Sequence, residues 1–358
     1  MAPQNEVVIA AAGSGKTEHL LKLALQDPES RVLITTYTNE NLREVNHRLW
    51  EMHGGQPSNV TVMTWFEFLL RDGVKPYQTF KTEIGRIRSI NFISVNPPFA
   101  RRADFEDYYL DSASNIYSDA VSDLAYELDV ASDGRVIRRL DGIYDKILID
   151  EMQDLAGYDL EFLHRLLKSK IQIAMVGDPR QAVYLTNRSG KNSQYRGAKL
   201  VDWIAKRVKD GLCVHTSLDV SHRCNQAICL FADSLYPDYP ATSSANATVV
   251  DHTGMILVHV DDIATYLEHY SAQELQWDRR NKIAGKDARN FGQVKGQSFE
   301  RVLIYPTNTI TAYIEGGQEL KDVTLAKFYV AVTRAWHSVA IVTKKRTTKS
   351  LIPIWQRP

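Results

Sequence analysis

Short apolar runs recur along the chain, each followed by a polar turn and then by apolar residues spaced three and four apart. The first run, Glu6 to Ala10, passes through a glycine-rich turn into a helical pattern from Lys16 to about Gln26. Arg31 to Thr36 predicts a second strand, with a helix from about Glu40 to Met52 behind it. Val60 to Thr64 predicts a third strand and Trp65 to Asp72 a helix. Alternation of this kind argues for a parallel sheet with helices on both faces.

Between Val74 and about Asp145 the rhythm breaks. Asn96-Pro97-Pro98, the pair Arg101-Arg102 and the tyrosines Tyr108, Tyr109 and Tyr117 point to a small helical insertion. Strands return at Lys146 to Ile149 and Ile171 to Val176, and the polar run Asn187 to Ser193 marks a loop. After a helix from Ala198 to Asp210, a second βα pattern covers His215 to Thr343, with strands at Met255 to Val260, Arg301 to Tyr305 and Val339 to Thr343. The expected fold class is therefore α/β, in two parallel-sheet domains. Residues 1–73 and 146–197 form the first, 74–145 a reduced helical insertion, and 198–358 the second. The basic end (Lys344, Lys345, Arg346, Lys349) is expected to be a solvated tail.

Composition narrows this only a little. A chain of 358 residues with 44% hydrophobic content suits two cores of roughly 150 residues each. Lys+Arg and Asp+Glu both total 43, so any nucleic-acid affinity must come from the arrangement of charge rather than its sum. Cys213, Cys224 and Cys229 lack metal-ligand spacing, which suits reduced thiols and no structural zinc. The polar start and the lack of a long apolar run lead us to expect a cytoplasmic chain with no membrane partner.

The chemistry concentrates at strand ends. Ala10-Ala-Ala-Gly-Ser-Gly-Lys-Thr17 lies between a strand and a helix, the context of a phosphate-binding loop. Gly13, Ser14 and Gly15 let backbone N–H groups curl around phosphate oxygens, Lys16 reaches the outer phosphates, and the Thr17 hydroxyl binds Mg²⁺. Ala10 stands where the strict pattern has glycine, and a plain glycine turn with an incidental Lys-Thr is the alternative. Asp150 and Glu151 follow the strand Lys146 to Ile149 and face the crevice where α/β sheets bind ligands. Asp150 suits Mg²⁺, through water, and Glu151 suits activation of the water that attacks a γ-phosphate. An acidic pair after a strand is by itself more often a helix start. Gln181, in Gly177-Asp-Pro-Arg-Gln181, is placed to sense the γ-phosphate by its amide, although the segment alone reads as a turn.

In order along the chain, these segments resemble the motifs of superfamily 1 DNA helicases of the UvrD/Rep/PcrA type. AAAGSGKT is similar to motif I, TYTNENLREV (Thr36 to Val45) to motif Ia, IDEMQDL (Ile149 to Leu155) to motif II and GDPRQAVY (Gly177 to Tyr184) to motif III. LDVSHRCNQAI (Leu218 to Ile228) is similar to motif IV and YVAVTRA (Tyr329 to Ala335) to motif VI. The resemblance implies two RecA-like domains around one ATP with Mg²⁺, and arginine fingers Arg223 and Arg334 directed at the γ-phosphate. Taken singly, Arg223 also reads as a solvated arginine at a helix start and Arg334 as a cation at a helix C-terminus. The resemblance further implies contacts to single-stranded DNA from Tyr37, Thr38, Asn39 and Tyr195, by stacking and phosphate contact. Each tyrosine equally suits a half-buried core position.

The pattern departs from the family in places. The adenine-reading glutamine segment lies upstream of motif I in the family, and this sequence begins after it; His222 is placed to stack on the base instead. In the segment similar to motif V, Lys295-Gly296 is kept, with Gly296 in nucleotide contact, but Ser298 and Gly292 replace the glutamate and histidine. Thr64-Trp65-Phe66 replaces the usual His-Ser-Phe of motif Ib. The second large accessory domain has no counterpart, while Arg86, Arg88, Arg101 and Arg102 in the insertion suit either a grip on duplex or a partner, or a solvated surface. The implied function is an ATP-dependent translocase or helicase on single-stranded DNA or tailed duplex, 3′ to 5′ by analogy. The alternative is a DNA-sensing ATPase subunit serving a partner nuclease or another accessory protein, as in phage-defence complexes.

Overall fold

The computed structural model describes residues 5–81, 86–94, 97, 99–183, 189–280, 284–316, 318–347 and 350–357. Asn96 and Pro98 of the insertion, Tyr184 at the end of the third motif, Asn187 and Arg188 of the polar loop, and Lys349 lie outside the described residues. The chain divides into two compact units. One comprises Met1–Ile9, Lys16–Pro179 and Leu185–Thr216; the other comprises Ala10–Gly15, Arg180–Tyr184 and Ser217–Pro358.

The first unit is built on a sheet of six strands. In chain order its elements begin with β1 (Glu6–Ala10), α1 (Lys16–Leu25), β2 (Val32–Thr36), α2 (Asn39–His53), β3 (Val60–Thr64) and α3 (Trp65–Phe68). The insertion adds the short pair β4 (Ile90–Asn91) and β5 (Ile116–Tyr117), then α4 (Phe105–Tyr109), α5 (Val121–Ala131) and α6 (Arg135–Ile143). The sheet resumes with β6 (Lys146–Ile149), α7 (Tyr158–Leu166), β7 (Gln172–Gly177), α8 (Leu200–Lys209) and β8 (Val214–Leu218). Strand order is β3-β2-β6-β7-β1-β8. The β2–β3, β2–β6, β6–β7 and β1–β7 pairings are parallel, so the carboxyl ends of β1, β2, β3, β6 and β7 share one edge. The fold class expected from the periodicity is therefore what the chain adopts.

Three local expectations change. Trp65 to Asp72 was expected to be one α-helix, but after Phe68 it widens into a π-helix over Leu69–Val74, with Lys75 N–H donating to the Leu70 carbonyl at 3.0 Å. The wider turn buries Leu69, Leu70 and Val74 together and brings Asp72 to the Tyr144 hydroxyl at 2.9 Å. Gly73 meets the Ala125 methyl of α5, where a Cβ would sit at 3.3 Å. The insertion, second, has no separate interior: Ile87, Tyr109, Ile116, Val121 and Leu124 share one core with Trp65 and Phe68. Third, α8 was placed at the start of the second domain, yet Leu200, Trp203 and Ile204 join that same core.

The second unit carries β9 (Val220–Ser221), α9 (Gln226–Ser234), β10 (Ser243–Ser244), β11 (Gly254–His259), α10 (Ile263–Tyr270), β12 (Gln273–Gln276) and β13 (Arg289–Asn290). It ends with β14 (Phe299–Tyr305), α11 (Asn308–Ile314), α12 (Asp322–Val332) and β15 (Ala335–Thr343). The five-stranded sheet runs β11-β15-β14-β12-β13, all parallel. The end of the chain is docked rather than a free tail, although Lys344, Lys345 and Arg346 stay exposed, as their charge suggests. Lys345 pairs with Glu315 at 2.7 Å and Arg346 with Asp262 at 2.6 Å. Leu257 N–H donates to the Pro353 carbonyl and Trp355 N–H to the Leu257 carbonyl, both at 2.8 Å, while the Trp355 ring meets Tyr266 edge-on at 5.3 Å.

Candidate nucleotide and nucleic-acid site

In the first unit, β1 and β6 deliver their following residues to the same sheet edge. Lys16, at the start of α1, places Nζ 2.5 Å from Glu151 Oε1. The Thr17 hydroxyl donates to Asp150 Oδ2 at 3.0 Å. Asp150 is buried, and burial followed by the neighbouring Glu151 raises its pKa, against the pull of Lys16 and Thr17. Glu151 has φ 56°, a left-handed conformation uncommon outside glycine, and its N–H donates to Asp150 Oδ1 at 2.9 Å. Gln153 Nε2 donates to Glu151 Oε2, and Gln153 Oε1 accepts from Asp178 N–H at 3.1 Å. A Cβ at Gly177 would fall 2.7 Å from Met152 Cγ, so glycine lets the end of β7 pass the segment after β6. Gln153 was absent from the sequence-based site. Its place two residues after Glu151 was the available signal.

The expected residues for Mg²⁺, Thr17 and Asp150, are thus in contact. Among the described residues no group of three or more His, Cys, Asp or Glu could hold a metal. A buried carboxylate with a raised pKa next to a second carboxylate fits a divalent cation electrostatically.

The second unit carries its own set of the expected residues. Ala11 N–H donates to the Leu218 carbonyl at 2.8 Å, His222 N–H to the Gly13 carbonyl at 2.9 Å, and the Ser221 hydroxyl to the Ala12 carbonyl at 2.7 Å. Gly13 has φ 76°, and a Cβ there would meet Arg223 Cβ at 2.5 Å. Gly15 has φ 80°. The buried Ser14 hydroxyl has no hydrogen-bond partner among the described residues, which leaves a polar group suited to a phosphate oxygen. Arg334 is 2% exposed. Its Nη2 donates to Gln181 Oε1 at 3.1 Å, its Nε to the Val330 carbonyl at 3.0 Å and its Nη1 to the Gln297 carbonyl at 3.3 Å. The expected finger and the expected γ-phosphate sensor are therefore hydrogen-bonded to each other. Arg223 Nη1 donates to the Thr333 carbonyl at 3.3 Å. The His222 side chain is exposed, as is Gly296, whose φ is 83°.

Sequence reasoning missed Arg180. It is 2% exposed, with its guanidinium 5.0 Å from the ring centres of both Tyr239 and Tyr329, and Nη2 donates to the Ala10 carbonyl at 3.5 Å. A buried cation between two rings is well held, and it fixes the residue beside Gln181.

The expected strand-contacting residues lie at the ends of β2 and just before α8. Thr38 Oγ1 accepts from Asn41 N–H at 3.2 Å and caps α2; Asn39 is exposed. Tyr37 and Tyr195 are half-buried against the core. Two of the insertion's cations are engaged: Arg102 pairs with Asp123 and, at 3.2 Å, with Glu127, and stacks over Tyr158. Arg101 pairs with Asp104 at 3.4 Å.

Residues 101–199 match the family model of the UvrD/REP helicase N-terminal domain. That stretch contains Asp150, Glu151, Gln181 and Tyr195, so the resemblance to UvrD/Rep-type helicases is shown over residues 101–199. The sequence matches none of the curated proteins. Among solved structures, the arterivirus nonstructural protein 10 helicase is similar over 96% of this chain and 60% of its own, with 16% identity and a TM-score of 0.48. The same helicase in complex with DNA matches over 96% and 62%, with 15% identity and a TM-score of 0.48. The PRRSV helicase matches over 96% and 53%, with 17% identity and a TM-score of 0.46. This chain thus spans between 53% and 62% of the length of those chains. No helix among the described residues is long and apolar enough to cross a membrane.

Proposed function

We propose that the chain is a Mg²⁺-dependent ATPase that moves along single-stranded DNA as a translocase or helicase. The observation that carries this reading is the pairing of Lys16 with Glu151 and Thr17 with Asp150 at one sheet edge, the residue types that phosphoryl transfer requires. Gly13, Ser14 and Gly15 supply N–H groups and a hydroxyl to the phosphates, and Lys16 adds the positive charge. Bound Mg²⁺ would neutralise charge on the β- and γ-phosphate oxygens. Glu151 orients the attacking water and takes its proton. Gln181, Arg223 and Arg334 stabilise charge that develops on the γ-phosphate, a contribution of about three to five orders of magnitude for an arginine finger. Tyr37, Thr38, Asn39 and Tyr195 contact the strand. Movement in the 3′-to-5′ direction follows the helicase analogy.

A second reading has its own observation. The described residues from Gln226 to Asn290 go into α9, α10 and the strands β10 to β13 of the second unit, leaving no further domain between Arg223 and Lys295. This favours an ATPase that reports bound DNA to a partner nuclease or accessory protein. ATP turnover with and without single-stranded DNA, measured beside strand displacement on a 3′-tailed duplex, separates the two. Displacement supports the helicase, and stimulated turnover without displacement supports the sensor. Turnover indifferent to DNA refutes both.

A further inference from the structure

Residues 222–225 link β9 to α9 and carry Arg223. Within the second unit they lie against the turn that carries Arg334. Arg223 Nη1 and Cys224 Sγ both donate to the Thr333 carbonyl, at 3.3 and 3.5 Å. Asn225 N–H donates to the Trp336 carbonyl at 3.3 Å, and Asn225 Nδ2 to the His337 carbonyl. The backbones behind the two arginines are thus held side by side.

Asn246 joins those backbones from outside every segment matched to a motif. Its Nδ2 donates to the Arg223 carbonyl at 2.7 Å and to the Trp336 carbonyl at 3.0 Å. Its Oδ1 accepts from Thr248 N–H at 3.1 Å, and these partners together fix which end of the amide is oxygen. The chain presenting it is strapped to the same segment. Ala245 N–H donates to the Ser221 carbonyl at 2.8 Å, Ser244 Oγ to the Cys224 carbonyl at 2.7 Å and Ser244 N–H to Gln226 Oε1 at 2.9 Å.

Two jobs of this side chain can be told apart. The turn with Thr248 needs only an acceptor, which aspartate also supplies; the bridge between Arg223 and Trp336 needs the NH₂ group. The hydrogen bonds that hold the phosphate loop, from the Ser221 hydroxyl to the Ala12 carbonyl and from His222 N–H to the Gly13 carbonyl, involve neither end of this amide.

We propose that Asn246 is a positioning residue for phosphoryl transfer: its amide clips the backbone of Arg223 to the backbone two residues beyond Arg334, so that the two guanidinium groups act on the γ-phosphate as a pair. The inference rests on the ATPase reading above and adds to it a residue that touches no substrate. Groups that act on charge developing in the transition state govern kcat rather than nucleotide affinity, so the loss is expected in kcat alone.

Release of labelled phosphate from ATP by the full chain with single-stranded DNA, beside binding of a fluorescent non-hydrolysable ATP analogue, tests it. Asn246→Asp lowers kcat by roughly ten- to a hundred-fold, the cost of a small misplacement of a catalytic group, and leaves binding of the analogue unchanged. In the Arg223→Ala background the same change lowers kcat by less than about two-fold, because a residue that acts through Arg223 has nothing left to position. Asn246→Ala is read in the same way should the aspartate disturb folding, and circular dichroism melts establish which variant is folded. Unchanged kcat in the folded variant overturns the proposal. So do losses that multiply in full when combined with Arg223→Ala, or a fall in turnover explained by weaker binding of the analogue. Wild type that releases no phosphate removes the ATPase reading itself, and this inference with it.

Discussion

Lys16→Met separates the structural work of the ammonium from its chemical work. The variant keeps most of the stem and removes the charge 2.5 Å from Glu151 Oε1. Side-chain exposure at the pair is 17% for Lys16 and 8% for Glu151, so little water replaces the lost partner. Breaking a buried ion pair from one side costs about 3–5 kcal/mol. Partial exposure of Lys16 and proton uptake by the stranded carboxylates place this case at about 3 kcal/mol. For a unit of this size that lowers Tm by about 6–12 °C. The sign with pH is fixed by Asp150. Without Lys16, which pulls it down, its folded pKa rises further above that of the unfolded chain, so the folded state binds its proton more tightly. The penalty is therefore small in acid and grows as pH rises. Adding Glu151→Gln to Lys16→Met removes the unpaired charge and recovers most of the loss. Turnover is absent in both variants, because phosphates lose their cation in one and water its base as well in the other. Thermal melts across pH, with phosphate release in the presence of single-stranded DNA, measure both effects. A double variant no more stable than the single one refutes the ion-pair argument, and ATP turnover by Lys16→Met refutes the phosphate assignment.

Two further outcomes follow from the same reasoning. Arg334→Ala lowers turnover by about three to five orders of magnitude and also destabilises the second unit, because the Val330 and Gln297 carbonyls and Gln181 Oε1 lose a donor at about 1–3 kcal/mol each. Arg223→Ala, at a half-buried position, gives a similar loss of turnover with less change in melting, and near-normal phosphate release by either variant sinks the finger assignment. Asp159, buried and accepting from Trp65 Nε1 at 2.8 Å, has its pKa pushed up to about 6 by burial. Its folded state holds the proton more tightly, so this contribution is present below about pH 4 and lost as pH rises towards 6. It amounts to about 3 kcal/mol. In urea unfolding, wild type should lose about this much stability relative to Asp159→Asn as pH rises over that range, and parallel profiles would show that the carboxyl titrates normally.

Much of the site was legible because it is local. The glycines, Lys16 and Thr17 sit within one strand–turn–helix, and Asp150 and Glu151 directly follow an apolar strand. The order of strands in the first sheet then brings these two segments to one edge. What the sequence withheld depends on distant partners. Nothing near Arg180 announces Tyr239 and Tyr329, and nothing near Arg334 announces Gln181. The π-helix over Leu69–Val74 sets Gly73 against Ala125, a residue far along the chain. The chain end read as a free tail because Glu315, Asp261 and Asp262, which pair with its exposed Lys345 and Arg346, lie far upstream. The placement of α8 failed for a similar reason: its spacing showed an apolar face but could not show which core would take it.

The docked C-terminal segment also bears on solubility. β11 is the outermost strand of its sheet, and an uncovered outer strand offers unsatisfied backbone groups to any other extended chain. Pro353 and Trp355 occupy the free N–H and carbonyl of Leu257, closing that side. Trimming the chain before Pro353 would expose a ready template for intermolecular pairing, so a shortened protein is expected to self-associate even with Lys16, Thr17, Asp150 and Glu151 untouched.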